Sequence, residues 1–582
     1  NGKHTTLTAH AGEDRNPVFA PDGQTVYFLS ERDGSTFNVY SFPISSPQSL
    51  KTVTHFKTHP VRFLSMGSNG TLCYTYDGEI YTQKQGDKPQ KVKIDIIRDD
   101  QNTIADLNFS NGATSATVSP DGKQVAFIVR GEVFVTSADY NTTKQITHTP
   151  AREAGLTFSP DNRTLAYASE RNGNWELYMA KIARKEEANF PNATAIEEEV
   201  LLPSDKTERT YPQFSPDGKE LAFIEDRNRL MVLNLETKKV RQVTDGSTWF
   251  STGGGFDYSW SPDGKWFTLE FIGNRHDPYS DIGMVSAQGG KIINLTNSGY
   301  TSGSPRWVLD GNAILFITER YGMRAHASWG SLNDVMLVFM NQDAYDKFRL
   351  SKEDYELQKE LEKEQKDTTE TKKNDKKKGD NKEKSEEKKE EKVKDIVVEL
   401  NNIEDRIVRL TPNSSDLGSA IITKDGETLY YLSAFEGGYD LWKMNLRKKD
   451  TKLLHKMDAG WANMEMDKDG KNLFLLGSNT MQKMGTDSES LKPISYQAHV
   501  KMDLAAERDY MFNHVYKQEQ KRFYNLNMHG IDWDAMTKAY RKFLPHIDNN
   551  YDFAELLSEY LGELNVSHLS LIHISEPTRL RR

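Results

Sequence analysis

The chain has 582 residues, too many for one ordinary domain, and 36% of them are hydrophobic, which is typical of globular domains with real cores. Its 75 basic and 85 acidic residues give a formal net charge of −10, which argues against nucleic acid or an anionic membrane as the main partner. No stretch reaches the roughly 18 uninterrupted apolar residues of a membrane span. Cys73 is the only cysteine, so an intrachain disulfide is excluded.

A short turn phrase recurs about every 45 residues along most of the chain. Its copies are FAPDG (19–23), MGSNG (66–70), VSPDG (118–122), FSPDN (158–162), FSPDG (214–218), WSPDG (260–264), WVLDG (307–311), ITKDG (422–426) and MDKDG (466–470). Proline fixes φ at the first corner of a turn, and the following Asp and Gly accept a tight reversal. An alternating run of β-branched and aromatic residues follows most copies and predicts a strand.

Further strand-like runs bring each repeat to four strands, and four strands in about 45 residues are typical of a propeller blade. Because 91–111 lacks the phrase, we place a boundary there, with two blades in 1–100 and seven in 101–500. Two blades alone do not close a ring, so we expect further blades to precede residue 1. The predicted fold class is therefore mainly β, with β-propeller blades followed by a small α-helical segment.

One blade carries a long insertion, which we place at about 342–394 in the repeat that begins at Asp310. Residues 350–366 have Glu/Lys pairs at helical spacing and predict a solvated helix. From 367 to 394 the chain consists almost only of charged and polar residues. Such a segment cannot bury enough apolar area to offset the entropy of ordering, so we expect it to be disordered.

After about Ala498 the hydrophobic period changes from that of strands to that of helices. The pattern predicts a helix over 503–524, a second helix capped by Asp532, and a third that starts with an Asp552–Glu555 capping box. The apolar stripes of these helices are interpreted as core.

Two motifs in this helical segment carry a resemblance to a known family. The run from His529 to Trp533, followed by Glu563–His568, resembles the helical part of the catalytic region in the tricorn protease family. That family joins a six-bladed propeller, a seven-bladed propeller, a helical catalytic half, a PDZ domain and a second catalytic half. The resemblance implies that 1–100 are the last two blades of the six-bladed propeller and that 501–568 begin the catalytic domain.

The resemblance also implies a chemistry, because the family uses a Ser-His-Ser-Glu tetrad to hydrolyse oligopeptides. Carried over, His568 is the general base and Ser567 orients its imidazole. The nucleophilic serine and the glutamate would lie in the second catalytic half, so this chain alone is expected to be inactive. The family needs no cofactor or metal ion and assembles as hexamers. A cytoplasmic location is implied, with export to the periplasm as the alternative because the N-terminus is missing.

The last residues do not continue the family pattern. Residues 569–579 read LSLIHISEPTR, which is the in-frame translation of a common transposase sequencing adapter. We therefore expect 569–582 not to be native and give them no functional weight.

Two other classes compete with the tricorn interpretation. A prolyl-oligopeptidase-like enzyme requires a Gly-x-Ser-x-Gly elbow, which the sequence lacks. A purely binding propeller of the TolB type remains the alternative, although such a module needs neither the helices after 500 nor the Ser567–His568 ending.

Overall fold

A computed structural model describes residues 2, 4–34, 36–95, 103–249, 254–273, 279–326, 329–361 and 394–566, apart from the side chains at 325, 326, 329 and 330. The chain divides into two compact units. The first comprises Asn1–Asn102 with Asp534–Lys542, and the second comprises Thr103–Trp533 with Phe543–Arg582.

The first unit contains two four-stranded antiparallel sheets whose strands follow chain order. One sheet consists of β1 (Asp14–Phe19), β2 (Thr25–Ser30), β3 (Asn38–Pro43) and β4 (Lys51–Thr52). The other consists of β5 (Arg62–Met66), β6 (Leu72–Tyr76), β7 (Glu79–Gln83) and β8 (Gln90–Lys91). Leu29, Val39, Leu72 and Tyr74 belong to their shared core. Within the same unit, Lys542 donates to the backbone oxygen of Asp77 at 2.8 Å.

The second unit starts with β9 (Ile104–Phe109) and continues into blades 1 to 4, each a four-stranded antiparallel sheet. Blade 1 contains β10 (Ser115–Val118), β11 (Gln124–Val129), β12 (Glu132–Ser137) and β13 (Thr143–Gln145). Blade 2 contains β14 (Glu153–Phe158), β15 (Thr164–Ser169), β16 (Glu176–Ile182) and β17 (Ile196–Val200). Blade 3 contains β18 (Arg209–Phe214), β19 (Glu220–Glu225), β20 (Arg229–Asn234) and β21 (Val240–Gln242). Blade 4 contains β22 (Tyr258–Trp260), β23 (Trp266–Phe271), β24 (Asp281–Ser286) and β25 (Ile293–Asn294).

Three further sheets, blades 5 to 7, complete the series of seven. Blade 5 contains β26 (Ser302–Val308), β27 (Ala313–Thr318), β30 (Asp334–Phe339) and β31 (Ile407–Arg409), with the hairpin β28 (Arg324–His326) and β29 (Trp329–Ser331) inserted before β30. Blade 6 contains β32 (Asp416–Ile422), β33 (Thr428–Ala434), β34 (Tyr439–Asn445) and β35 (Asp450–Ala459). Blade 7 contains β36 (Ala462–Met466), β37 (Asn472–Gly477), β38 (Met481–Gly485) and β39 (Leu491–Pro493). The last strand, β40 (Ala498–Asp503), pairs with β9.

The turn phrase explains how the first two strands of a blade are joined. In blade 1, Ser119 Oγ donates to Asp121 Oδ1 at 2.7 Å and accepts from the Gln124 amide at 3.0 Å. Blades 2, 3 and 4 repeat the Ser–Asp bond. In blade 3, Gly218 takes a left-handed φ of 71°, and a Cβ there would lie 3.2 Å from Pro160 of blade 2. The phrase therefore packs neighbouring blades as well as turning the chain.

Blade 7 packs directly against blade 1, which closes the ring. Lys468 donates its backbone N–H to Pro120 O at 2.8 Å, and the Val118 amide donates to Glu465 Oε2 at 2.9 Å. Phe127 packs on Tyr496 with 4.2 Å between ring centroids. The prediction of four-stranded propeller blades followed by a helical segment is confirmed.

The insertion leaves blade 5 after β30 and returns at β31. It begins with two helices, α1 (Gln342–Arg349) and α2 (352–361), where the sequence predicts one. Tyr355 in α2 is buried, and the Arg447 guanidinium of blade 6 lies 3.9 Å from the centroid of its ring. The prediction of a fully solvated helix is therefore wrong for this face of α2. Residues 362–393, which cover most of the segment predicted to be disordered, lie outside the described residues.

The helical segment contains α3 (Leu504–Arg522), α4 (Trp533–Arg541) and α5 (Asn550–Gly562). Helix α4 begins directly after Asp532, as predicted. The predicted start of α5 is wrong: its N-cap is Asn549, whose side chain accepts from the amides of Tyr551 and Asp552. Asn549 is the residue that accepts hydrogen bonds from the unpaired backbone amides at the start of the helix. Asp552 therefore lies in the first turn of α5 and is not its N-cap. In the described part of the chain no helix is long and apolar enough to cross a membrane.

Candidate active site

The two residues predicted to act in catalysis, Ser567 and His568, lie outside the described residues, which end at Val566. The structure does describe the segment that leads to them. Helix α5 ends at Gly562, and Leu564 behind it is fully buried. The position of the chain is therefore fixed three residues before Ser567.

Aromatic packing holds α5 in place. Tyr560 stacks on Trp533 with ring centroids 4.2 Å apart and on Phe512 of α3 with centroids 5.1 Å apart. The indole N–H of Trp533 donates to Tyr516 O at 3.1 Å, so the buried ring also has its polar atom satisfied. These contacts put α5, Trp533 and α3 in one core, as the apolar stripes predicted.

His529 joins the two motifs that carry the resemblance. It lies in the turn Met528–Gly530 with a left-handed φ of 55°. Its Nδ1 lies 3.1 Å from Leu564 O, and its Nε2 lies 2.5 Å from the Tyr524 hydroxyl. A carbonyl oxygen only accepts, so Nδ1–H donates to Leu564, and Nε2 forms a hydrogen bond with the Tyr524 hydroxyl. No sequence pattern indicates this bond, because 35 residues separate His529 from Leu564.

Helix α3 is fastened to the ring by buried charged groups. Glu170 of blade 2 accepts from Tyr510 Oη at 2.8 Å and lies 2.6 Å from His514 Nδ1. Burial raises the pKa of Glu170, but the bonds from His514 and Tyr510 outweigh burial and hold the pKa below its ordinary value. Arg130 of blade 1 donates to Glu507 at 2.9 Å. The start of the helical segment is thereby held in a fixed position on blades 1 and 2.

The first strands of several blades line a cavity of about 910 Å³. Blades 1, 2, 3 and 7 contribute most of its wall, including Arg152, Glu153, Tyr211, Gln213, Glu465 and Lys468. This volume falls at the upper end of the range for ligand sites in proteins. Within the described ranges no group of three or more His, Cys, Asp or Glu side chains is arranged to hold a metal ion.

Comparison with known families assigns both parts of the second unit. The model described as the tricorn protease second beta propeller domain matches residues 113–484, and the tricorn protease C1 domain matches residues 504–562. The first match falls on the seven blades, and the second falls on α3 to α5. Because the propeller model alone spans more than half of the chain, this chain belongs to the tricorn protease family.

Known relatives agree with this assignment. A putative Tricorn-like protease C-terminal subunit of Sulfurisphaera tokodaii is 22% identical over 93% of this chain and 58% of its own length. Tricorn protease homolog 1 of Streptomyces coelicolor is 21% identical over 94% of this chain and 50% of its own. A crystal structure of the tricorn protease shares the fold, with a TM-score of 0.69 and 14% identity, over 97% of this chain and 51% of its own. The chain thus spans about half the length of these proteins.

Proposed function

We propose that this chain is the propeller-bearing part, with the first catalytic segment, of a serine protease that degrades oligopeptides. The observation that carries the proposal is the bond from His529 to Leu564, which joins the family's two helical motifs directly before Ser567 and His568. Family membership supports the reaction type, and the anchored end of α5 holds the chain in place up to the buried Leu564.

In this proposal His568 is the general base. Its imidazole takes the proton from a serine hydroxyl while that oxygen attacks the scissile carbonyl, and returns the proton to the leaving amine. Water then hydrolyses the acyl-enzyme with the same base. Ser567 orients the imidazole, and the attacking serine and the glutamate belong to a second catalytic half, beyond a PDZ domain, outside these 582 residues.

In this proposal the substrate peptide reaches the catalytic site through the propeller. The cavity of about 910 Å³ along the first strands of the blades has a volume within the range of ligand sites in proteins, and a short peptide is a ligand of that size. By family resemblance the assembled protein is a hexamer in the cytoplasm, or in the periplasm if a signal peptide precedes residue 1. No cofactor enters the mechanism.

The test compares this chain with a longer protein that includes the second catalytic half. A fluorogenic oligopeptide should be hydrolysed by the longer protein only, and His568→Ala should reduce the rate by about 10⁴-fold or more. His499→Ala is the matched control, because His499 is exposed on β40. Hydrolysis by the longer His568→Ala protein at the parent rate would remove His568 from the mechanism. Peptide binding without any hydrolysis would instead favour a non-catalytic binding propeller of the TolB type.

A further inference from the structure

A second, smaller cavity of about 210 Å³ lies among the first strands of blades 4 to 7. Its polar wall is formed by Asp257, Ser304, Arg306, Ser419 and Asn463, and its apolar wall includes Leu315, Ile317 and Trp461. The volume is below the roughly 300–1,000 Å³ typical of sites for drug-sized ligands. A ligand that fills it is therefore smaller than a drug.

One side of this cavity carries a positive charge held in a fixed geometry. Arg306 of β26 reaches to blade 7, where its two terminal nitrogens donate to Met464 O at 2.8 Å and Asn463 Oδ1 at 2.7 Å. Both acceptors are neutral, and the charge of the guanidinium also acts on the buried Glu465 carboxyl, whose pKa burial raises and Arg306 lowers. No other hydrogen bond of this guanidinium is found within the described ranges, which leaves three of its five N–H groups for another acceptor.

The other side carries the Asp257 carboxylate, and a second carboxylate, Glu270, is bonded to the same serine without lining the cavity. Ser304, two residues before Arg306, donates its backbone N–H to Glu270 Oε1 at 2.7 Å and its hydroxyl to Asp257 Oδ2 at 3.2 Å. Burial, and then the charge of Asp257, raise the pKa of Glu270 to about 7. Among the ion pairs of the described residues, none includes Asp257 or Glu270. A cation placed beside this pair would relieve the repulsion between the two carboxylates.

The backbone at Ser304 is itself in an unfavourable conformation. Its φ is 53°, in the left-handed region that costs a residue with a Cβ roughly 1–2 kcal/mol. The surrounding structure maintains this conformation, which turns one amide toward Glu270 and places Arg306 on the opposite wall. Asn16, Phe63 and Tyr211 take the same left-handed φ at the bulge in the first strand of their own sheets, so this conformation is a repeated feature of the blades.

The apolar wall contains a large side chain in an unusual place. Trp461 is 60% exposed although it lines the interior of the ring. An indole face there offers apolar contact area to a small ligand and also attracts an ammonium group.

We propose that this cavity binds a zwitterion, a free amino acid or a dipeptide, whose carboxylate contacts Arg306 and whose ammonium contacts Asp257. A simple anion would meet the Asp257 carboxylate, and a simple cation would meet the guanidinium. Only a ligand with both charges matches both walls, and an apolar side chain of that ligand packs on Trp461. The proposal does not depend on the proposed protease reaction, because its residues all lie in blades 4, 5 and 7.

Isothermal titration calorimetry on the full 582-residue chain tests this site. L-Leucine and L-alanyl-L-alanine are the two probes, and each should be compared with its N-acetylated and C-terminally amidated forms. We expect saturable binding of one zwitterion per chain, weakened about tenfold or more when either terminus is blocked, because each block removes a charged hydrogen bond. The tighter of the two unblocked probes identifies the source of the ligand.

Arg306→Gln and Asp257→Asn should each weaken binding by a similar factor, since both residues line the cavity. Arg241→Gln is the matched control, since Arg241 lies on β21 and pairs with Glu220 away from the cavity. Ligand quenching of tryptophan fluorescence in the parent chain, lost on Trp461→Phe, provides a readout that does not need the charge variants to fold. Equal binding of blocked and unblocked ligands, or no binding of either zwitterion at 10 mM (roughly 100 times a typical KM), would overturn the proposal.

Discussion

Replacing Glu132 by glutamine should remove a pH-dependent loss of stability from the ring. Glu132 is buried beside Glu153, and it accepts from Thr147 Oγ1 at 2.5 Å and from the Thr149 amide at 2.6 Å. Burial raises the pKa of Glu132 from 4.5 to about 7, although these bonds and Arg171 act in the other direction. Burial and then the charge of Glu132 also raise the pKa of Glu153 well above its usual range. In the folded protein, Glu132 therefore keeps its proton up to neutral pH.

The sign and size of the effect follow from this shift. The folded state binds the proton more tightly than the unfolded state, so the stabilisation is complete below about pH 4.5 and is lost as pH rises to 7. A shift of that size corresponds to about 3 kcal/mol. For a ring of about 400 residues, a loss of free energy of this size lowers Tm by roughly 4 °C.

The assay is thermal unfolding of the full chain between pH 4.5 and 8.5, followed by differential scanning fluorimetry. Between pH 4.5 and pH 8.5, the Tm of Glu132→Gln should fall by about 4 °C less than the Tm of the parent. Glu236 lies in the exposed turn after β20, so the Tm of Glu236→Gln should change with pH as that of the parent does. The difference between the curves reports Glu132 together with its effect on Glu153, whose pKa the charge of Glu132 raises. Parallel curves for the parent and Glu132→Gln would refute the reasoning.

Two further predictions concern the site and the ring. His529→Ala should remove the hydrogen bond to Leu564 and destabilise the end of α5 by about 1 kcal/mol. Amide hydrogen exchange should then be faster in α5 and unchanged in the blades. Unchanged exchange in α5 would contradict a positioning role for His529. Gly218→Ala should cost about 1–2 kcal/mol because of the left-handed φ and the close proline of blade 2. Gly218→Asn should cost less, because Asn162 holds the equivalent position in blade 2 with a φ of 63°, and equal losses of Tm in the two variants would refute this explanation.

The turn phrases made the blades predictable from sequence because their hydrogen bonds are local. Ser119, Asp121 and Gln124 lie within six residues, so composition and spacing alone specify the turn and the strands around it. The helices of the helical segment were predicted from the spacing of their hydrophobic residues. Only the N-cap of α5 was misplaced, since both Asn549 and Asp552 are good capping residues.

The candidate site was only partly accessible from sequence. Ser567 and His568 were identified from a family resemblance, and no local physical rule selects them from other Ser-His pairs. The role of His529 was missed, because its partner Leu564 lies beyond α4, a short turn and α5.

The sequence by itself determined that this chain forms four-stranded blades followed by helices, because turns, caps and strand periods depend on residues close together in the chain. Only the tertiary structure decided which partners the charged side chains bind. Arg306 bonds to Asn463 across 157 residues, and Arg130 bonds to Glu507 across 377. Closing the ring brings the first strands of distant blades together, so the cavities and their charges arise from contacts that no local pattern encodes.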